Sequence, residues 1–550
     1  MPRLRNPYIP RFLQTLAFQT AIRCYTQTRQ FADCPTILGL ATADAFRYTS
    51  GRWLYNEKQR LDERYFEFNI TALVEVAAKS IGRKKDDVQA IHKMAEGRSN
   101  RVFELTMRNG LHLIARLPYL STQPKKLAIP SEVATMDLVR RHGVPVPVVR
   151  GYSGDSGNPV GAEYIIMDKV QGQNLAEVWY DLSEQERHKV LSGIVMQEAK
   201  LFGIPLPAYG SIFYERDAPD HMQSTGIEGH DGRFCIGPDL SLEHWSGMRS
   251  RLEIPQGVLM TPLQVLEFAA KKEISCMRAF EKWRYPSARV YREVTNNYKK
   301  VDPSEHLANL ESFLAIAAHL VPKQKWDWVH KPVLRHPDMD PSDILIDDDC
   351  NINYGNEESE NLKKPVHPSG LDEMNERGRA EALALYRRRH THYTYMEATK
   401  ELLNPHYAAM MGDKALALRK IYHHAREPWE GSNIPLKADL LAAAKGWDEL
   451  TRSGLLHDAT PPVCPIRFEE QEFQDTMDKL REQEKMDQAI YIYRTVIDCS
   501  LDGWVPHWAY EESKSQVAQW KKMCLEDAED GFERRMLEKH WPFDDYDEDE

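Results

Sequence analysis

A two-residue Asn109-Gly110 step separates RVFELTM from LHLIARL, and it constrains this 550-residue chain more than any other feature. Asn-Gly supplies the positive backbone angles of a tight hairpin turn, and the flanking runs alternate apolar and polar residues as half-buried strands do. Antiparallel strands are therefore expected from Val88 onward. The next periodic segment, residues 131–143, reads as a helix with Ser131 as its cap and Gly143 as its stop. VPVPVV then leads to a further strand over residues 163–170, so the order is strand, hairpin, helix, strand, strand.

Outside this block the chain reads mainly as helix. The spacing predicts a helix over 70–81 ended by Gly82, helices across 174–203, 263–283 and 306–319, and short strands at VLRHPD and ILID. From Leu371 the remainder is helical, including the charged stretch 468–493, whose Phe468, Phe473, Met477 and Leu480 form one apolar face. That face is either intramolecular core or a surface for a protein partner. Residues 205–255 read as loop-rich, and their Phe213, Tyr214, Phe234 and Trp245 either line a pocket or pack.

Composition removes several function classes. Against 71 Lys and Arg stand 83 Asp and Glu, a formal net charge of −12, which disfavours nucleic acid as a partner. No apolar run approaches the ~20 residues needed to span a bilayer. The eight cysteines show no CxxC pair or zinc-like spacing and read as reduced thiols. The N-terminus carries Arg3, Arg5, Arg11, Arg23 and Arg29 before the first acidic residue, Asp33, with Phe12, Leu13, Leu16, Phe18 and Ile22 interleaved. A basic amphipathic start of this kind is the physics of a mitochondrial transit peptide; a disordered basic leader is the alternative.

Chemistry concentrates in RHPDMDPSDILID, residues 335–347. An Asp just after His-Pro, with a second carboxylate five positions on, matches the loop by which kinase-like enzymes accept the proton of an attacking hydroxyl and support a Mg2+ ion. Asp338 is then the base and Asp343 the metal residue. Upstream, Gly97 and Ser99 in EGRSN enter a strand where backbone amides can approach phosphates, although one glycine makes a weak loop of this type. Arg116 follows on the second arm of the hairpin, where its fork of donors suits phosphate oxygens, and Glu132 is placed to orient it. An exposed strand Arg and a Glu near a helix start are the plain alternatives for that pair. Backbone groups near Met167 to Lys169 are positioned to meet an adenine, or belong to a buried strand.

Taken in order, these motifs resemble the aminoglycoside phosphotransferase superfamily of small-molecule kinases. Within it the chain is similar to the fungal mitochondrial family called altered inheritance of mitochondria protein 9, on residues 46–65, FCIGP, LRHPD and NYGNEESE. The resemblance implies an α+β, two-lobed protein-kinase-like fold using ATP and Mg2+ on a small-molecule substrate that it does not identify. The expected organisation is a leader at 1–45, a strap and small lobe at 46–170, a helical large lobe at 171–465, a helical C-terminal part at 466–540 and an acidic tail at 541–550, expected to be solvated.

Two departures stand out. Asp343 occupies a position that is usually Asn in the superfamily. More seriously, the strand-borne Asp that related proteins use to clamp Mg2+ is missing: Ile352 runs straight into Asn353, as if a segment had been excised. Leu371-Asp372-Glu373, the nearest substitute, reads as a helix start. A pseudokinase that binds nucleotide or a protein partner without chemistry is the competing expectation.

Overall fold

In the computed structural model of the chain, residues 40, 42–219, 222–252, 257–321, 330–336, 341–346, 364–411, 415–452 and 462–548 are described. The leader expected at 1–45 lies almost wholly outside them. The strap that follows is β1 (Gly51–Trp53) and α1 (Glu57–Arg64), and it delivers the chain to α2 (Ile70–Ser80). Asn69 caps α2 by accepting from the Ala72 amide, and Gly82, at φ +70°, turns the chain out of it.

The hairpins form as the alternation requires. β2 (Val88–Glu96), β3 (Asn100–Met107) and β4 (His112–Pro118) run antiparallel, with Gly110 at φ +83° in the tight turn. Helix α3 (Ala128–Arg141) follows, then β5 (Val149–Ser153) and β6 (Tyr164–Asp168), closing a five-stranded sheet of order β2-β3-β4-β6-β5. One face buries Phe103, Leu105, Leu113 and Ala115 against Leu73 and Ala77 of α2; the other sets Ile165 and Met167 against Ile129 and Val133 of α3. The expected Ser131 cap is corrected: α3 begins at Ala128, and Ser131 is buried within it. Pro130 permits the earlier start, because a proline in the first turn gives up no needed amide.

After β6 the chain passes through β7 (Gln173–Asn174) into α4 (Glu184–Phe202), where Ser183 and Glu186 form a capping box. The loop-rich expectation for 205–255 is also corrected. β8 (Ser211–Tyr214), β9 (Thr225–Gly226) and β10 (Phe234–Gly237) make a three-stranded sheet of order β8-β10-β9. β10 is buried at every position, so no alternation marked it. Phe213 and Phe234 are core rather than pocket lining, and Tyr214 stacks on Phe234 with ring centroids 5.3 Å apart.

α5 (Pro262–Phe280) and α6 (Pro303–Leu320) begin on capped, proline-containing first turns. The strand expected at VLRHPD is absent from residues 333–336, whereas ILID contributes β11 (Leu345–Ile346), which pairs antiparallel with β7. The rest is helical: α7 (Glu376–Leu402), α8 (Ala415–Arg426), α9 (Ile434–Lys445) and α10 (Glu470–Ile497), then β12 (Trp504–Pro506), α11 (Tyr510–Glu526) and α12 (Gly531–His540). Phe468 packs on the cluster containing Trp447 and Ile466, and the Lys445 ammonium sits 4.0 Å from the Phe473 ring centre. That stretch therefore packs within the chain.

The termini of the described chain meet. β1 pairs antiparallel with β12, and Leu54 joins Tyr493, Trp520 and Trp541 in one core cluster. The acidic tail that follows them makes specific contacts while Asp545 and Asp547 stay exposed. Trp541 and Phe543 are buried, Asp545 accepts from the Asn56 amide at 2.5 Å, and Glu548 pairs with Arg60. Carboxylates that look like a solubilising tail instead meet the strap's donors.

Candidate functional site

Arg116 lies inside β4, between Val102 of β3 and Ile165 of β6, on the face that α3 covers. Its Nη2 donates to Glu132 Oε1 from the second turn of α3, so the expected ion pair is formed. Burial pushes the Arg116 guanidinium down to about 10, still far above neutral pH, so it remains a cation. The pair is only partly enclosed, with 24% of the Arg116 side chain and 39% of Glu132 exposed.

The turn between β2 and β3 sits at the same end of the sheet, because Asn100 pairs with Pro118 two residues beyond Arg116. Gly97 donates to the Asn100 carbonyl at 2.9 Å, and Ser99 accepts from the Tyr119 amide at 3.0 Å and the Thr122 hydroxyl at 2.7 Å. The turn is thus fastened to the exit of β4, with Gly97 and Ser99 exposed. Glu96 and Arg101, which frame it, point the other way and hold the strap.

Met167 pairs with Ile114 on one side and Val149 on the other, and its side chain lies in the cluster with Ile129 and Val133. The amides of Asp168 and Lys169 donate to Val148 and His112 carbonyls at 3.0 and 3.2 Å. These amides are therefore engaged within the sheet.

Asp338 lies outside the described residues, and Asp343 is described only in its backbone, in the short helical turn Pro341–Asp343. What anchors that segment is visible on both sides. The Asn174 side-chain amide donates to the Ser342 carbonyl at 2.8 Å, and the Leu175 amide donates to Ile344 at 2.8 Å. Gly172, at φ +147°, allows the close approach: a Cβ there would stand 3.0 Å from the Ile346 carbonyl oxygen. Ile344 and Ile346 are buried among Leu175, Val190 and Tyr395. Residues 341–346 thus hang from the linker that leaves the sheet.

One buried acid beside this segment went unread in the sequence. Glu198 of α4 accepts from the Tyr395 hydroxyl of α7 at 2.7 Å; burial pushes its pKa up, while that bond and the Arg335 charge draw it back. The available signal was a Glu on the inward stripe of an amphipathic helix. Asp372, the nearest candidate for the strand-borne carboxylate that the resemblance leads one to expect, is fully exposed in the turn Leu371–Glu373 and pairs with Arg379 at 3.3 Å. For ATP, the residues present fit in part: a positioned cation and an exposed turn stand at one end of the sheet. Among the described side chains none forms a Mg2+ site with them.

No family model matches the chain. A subtelomeric hrmA-associated cluster protein of Aspergillus fumigatus is 27% identical over 84% of this chain and 98% of its own length. The altered inheritance of mitochondria protein 9, mitochondrial, of Meyerozyma guilliermondii is 26% identical, spanning 57% of this chain and 58% of its own; that of Lachancea thermotolerans is 23% identical, spanning 56% and 60%. Among solved structures, an ADP-bound aminoglycoside phosphotransferase aligns over 76% of this chain and 99% of its own at 11% identity and a TM-score of 0.28. Plasmodium vivax ethanolamine kinase aligns over 74% and 84% at 11% identity, with the same TM-score of 0.28. The chain is similar in sequence to the altered inheritance of mitochondria protein 9 group, and its described residues form an α+β fold in which a five-stranded antiparallel sheet is followed by a mainly helical region.

Proposed function

We propose that this chain is an ATP-binding, kinase-like protein of mitochondria whose chemistry is phosphoryl transfer to a hydroxyl or amine of a small molecule. The observation that carries this reading is the Arg116–Glu132 pair, a fixed and partly exposed cation on the central strand of the sheet, at the same end as the Gly97–Ser99 turn. Glu132 holds one arm of the guanidinium, and the remaining donors face phosphate oxygens. Bound ATP supplies the phosphoryl group, and Mg2+ supplies positive charge that offsets its repulsion of the nucleophile. Asp338 takes the acceptor's proton, and Asp343 stands on the metal side. The adenine is met by the linker after Met167, at carbonyls or beyond Lys169, since the Asp168 and Lys169 amides are engaged. The mitochondrial names of the relatives and the arginine-rich start support the location. Magnesium-dependent ATP turnover with a panel of small alcohols and amines tests the activity. Asp338→Asn should abolish turnover while stabilisation by ATP persists; turnover unaffected by that substitution would sink the assignment.

A second reading, nucleotide binding without transfer, is favoured by the exposed, Arg379-paired position of Asp372, which leaves the lost metal carboxylate without a described replacement. Phosphoryl transfer depends almost wholly on positioning and charge, so such a loss weighs heavily. Thermal stabilisation by ATP with no turnover against any acceptor supports it. Sequencing the messenger RNA across residues 345–356 shows whether the excision after Ile352 belongs to the protein.

A further inference from the structure

The C-terminal end of α8 gathers three metal-ligand side chains that take no part in the Arg116–Glu132 site. His423 and His424 lie in its last turn and Glu427 follows, its amide still bonded to the His423 carbonyl at 3.2 Å. One ligand atom from each lies within 4.8 Å of the others, and His423 Nε2 is 3.0 Å from Glu427 Oε1. His424 is oriented by a carboxylate on the neighbouring helix, with its Nδ1 2.6 Å from Asp439 Oδ2 of α9. A carboxylate that holds the Nδ1 proton fixes the ring and leaves the Nε2 lone pair for a metal.

A cavity adjoins this cluster. His424 and Glu427 line a space of about 310 Å³ together with Tyr291, Trp429, Ser432 and His306. His306, on α6, is 4% exposed, and neither of its ring nitrogens has a hydrogen-bond partner; the buried Ser432 hydroxyl has none either. Burial pushes the His306 pKa down to about 4, so it presents a neutral imidazole. Unpartnered polar atoms cost free energy unless a polar guest meets them, so the cavity is built for more than apolar packing.

We propose that His423, His424 and Glu427 bind one divalent transition-metal ion of the zinc class beside this cavity, with Asp439 as the residue that positions His424. Two imidazoles and one carboxylate favour such an ion over Mg2+ or Ca2+, which take oxygen ligands. Three protein ligands leave a coordination position for water or a small guest, which the polar cavity wall can hold.

The test uses the full chain, stripped with chelator and titrated with Zn2+ by calorimetry, with Co2+ as a spectroscopic probe. One saturable equivalent is expected, with cobalt absorption bands that show nitrogen and oxygen ligation. His423 and Glu427 are 63% and 47% exposed, so His423→Ala and Glu427→Gln should fold, which circular dichroism checks. Each should weaken the site at least tenfold, and Asp439→Asn should weaken it by about 10- to 100-fold. His188→Ala, at an exposed position elsewhere, should change nothing. Absence of saturable Zn2+ binding overturns the proposal. So does binding that His423→Ala and Glu427→Gln leave intact, because the ion would then sit elsewhere among the chain's 20 histidines.

Discussion

The two faces of the five-stranded sheet carry the same kind of charged pair and use it in opposite ways. On the α2 face, Arg101 is 0% exposed and its partner Glu96 1%. Every arm of that arginine is engaged: Nη1 donates to the Ala45 carbonyl at 2.7 Å, Nη2 to the Arg64 carbonyl at 3.2 Å and Nε to Glu96 at 3.2 Å. Glu96 also accepts from Lys93, Ser50 and the Thr49 amide. On the α3 face, Arg116 meets Glu132 in a half-open pair. A charge whose hydrogen bonds are all made within the protein holds structure together, whereas one with donors to spare can meet a ligand.

Substitution should separate the two faces. Arg101→Ala removes one of the two cations that Glu96 meets and takes the donors from the Ala45 and Arg64 carbonyls in a sealed site, and it should cost about 3–5 kcal/mol, the usual loss when a buried ion pair is broken. Urea unfolding measures it, and a change within experimental error would erase the distinction. Next in size, Gly503→Ala attacks the seam that the strap makes with β12. Gly503 sits at φ +80°, and a Cβ there would stand 2.5 Å from Tyr55 Cε1. Backbone strain and overpacking together predict about 1–3 kcal/mol, read from the same unfolding curves.

Arg116→Ala should move stability by no more than ~1 kcal/mol, since a pair this open is screened by water. Its effect should fall on ATP, with affinity down about tenfold, equivalent to ~1.4 kcal/mol, measured by calorimetry. A large stability loss with unchanged ATP affinity would make Arg116 structural like Arg101. The smallest expected effect is on acid stability. Burial pushes the Glu96 pKa up, but the Thr49 amide and Lys93 hold it below the ordinary carboxylate value. The folded state therefore binds that proton less readily than the unfolded state. Its contribution is whole above pH ~4.3 and drains away as pH falls through the lowered folded value. Lys93→Met should flatten this part of the pH–stability curve.

Local signals were legible wherever neighbours in sequence supply the energy. The Asn109-Gly110 hairpin, α2, α4, α5, α6 and α10 all stand where periodicity and caps put them, give or take a few residues. Ser131 misled because a capping residue and a small buried helix residue look alike until Ile129 finds its place against Ile165. β8, β9 and β10 escaped because strands of two to four residues are too short to show alternation, and β10 is buried at every position. Of the site, the Arg116–Glu132 pair was legible from order alone, as was the pairing-competent ILID strand; the engaged linker amides were not.

The sequence by itself determined the five-stranded sheet's order of strands and helices and the placing of Arg116 on a strand shortly before the helix that carries Glu132, because each is written within a short stretch of chain. Only the tertiary structure decided that Arg101 is sealed, that Asp545 and Glu548 meet the strap, and that His306 shares a cavity with His424. Those outcomes depend on surfaces far apart in the chain that meet only on folding, such as Gly51 to Trp53 against Trp504 to Pro506. No local periodicity records such a meeting, since the free energy that fixes it comes from burying both partners at once.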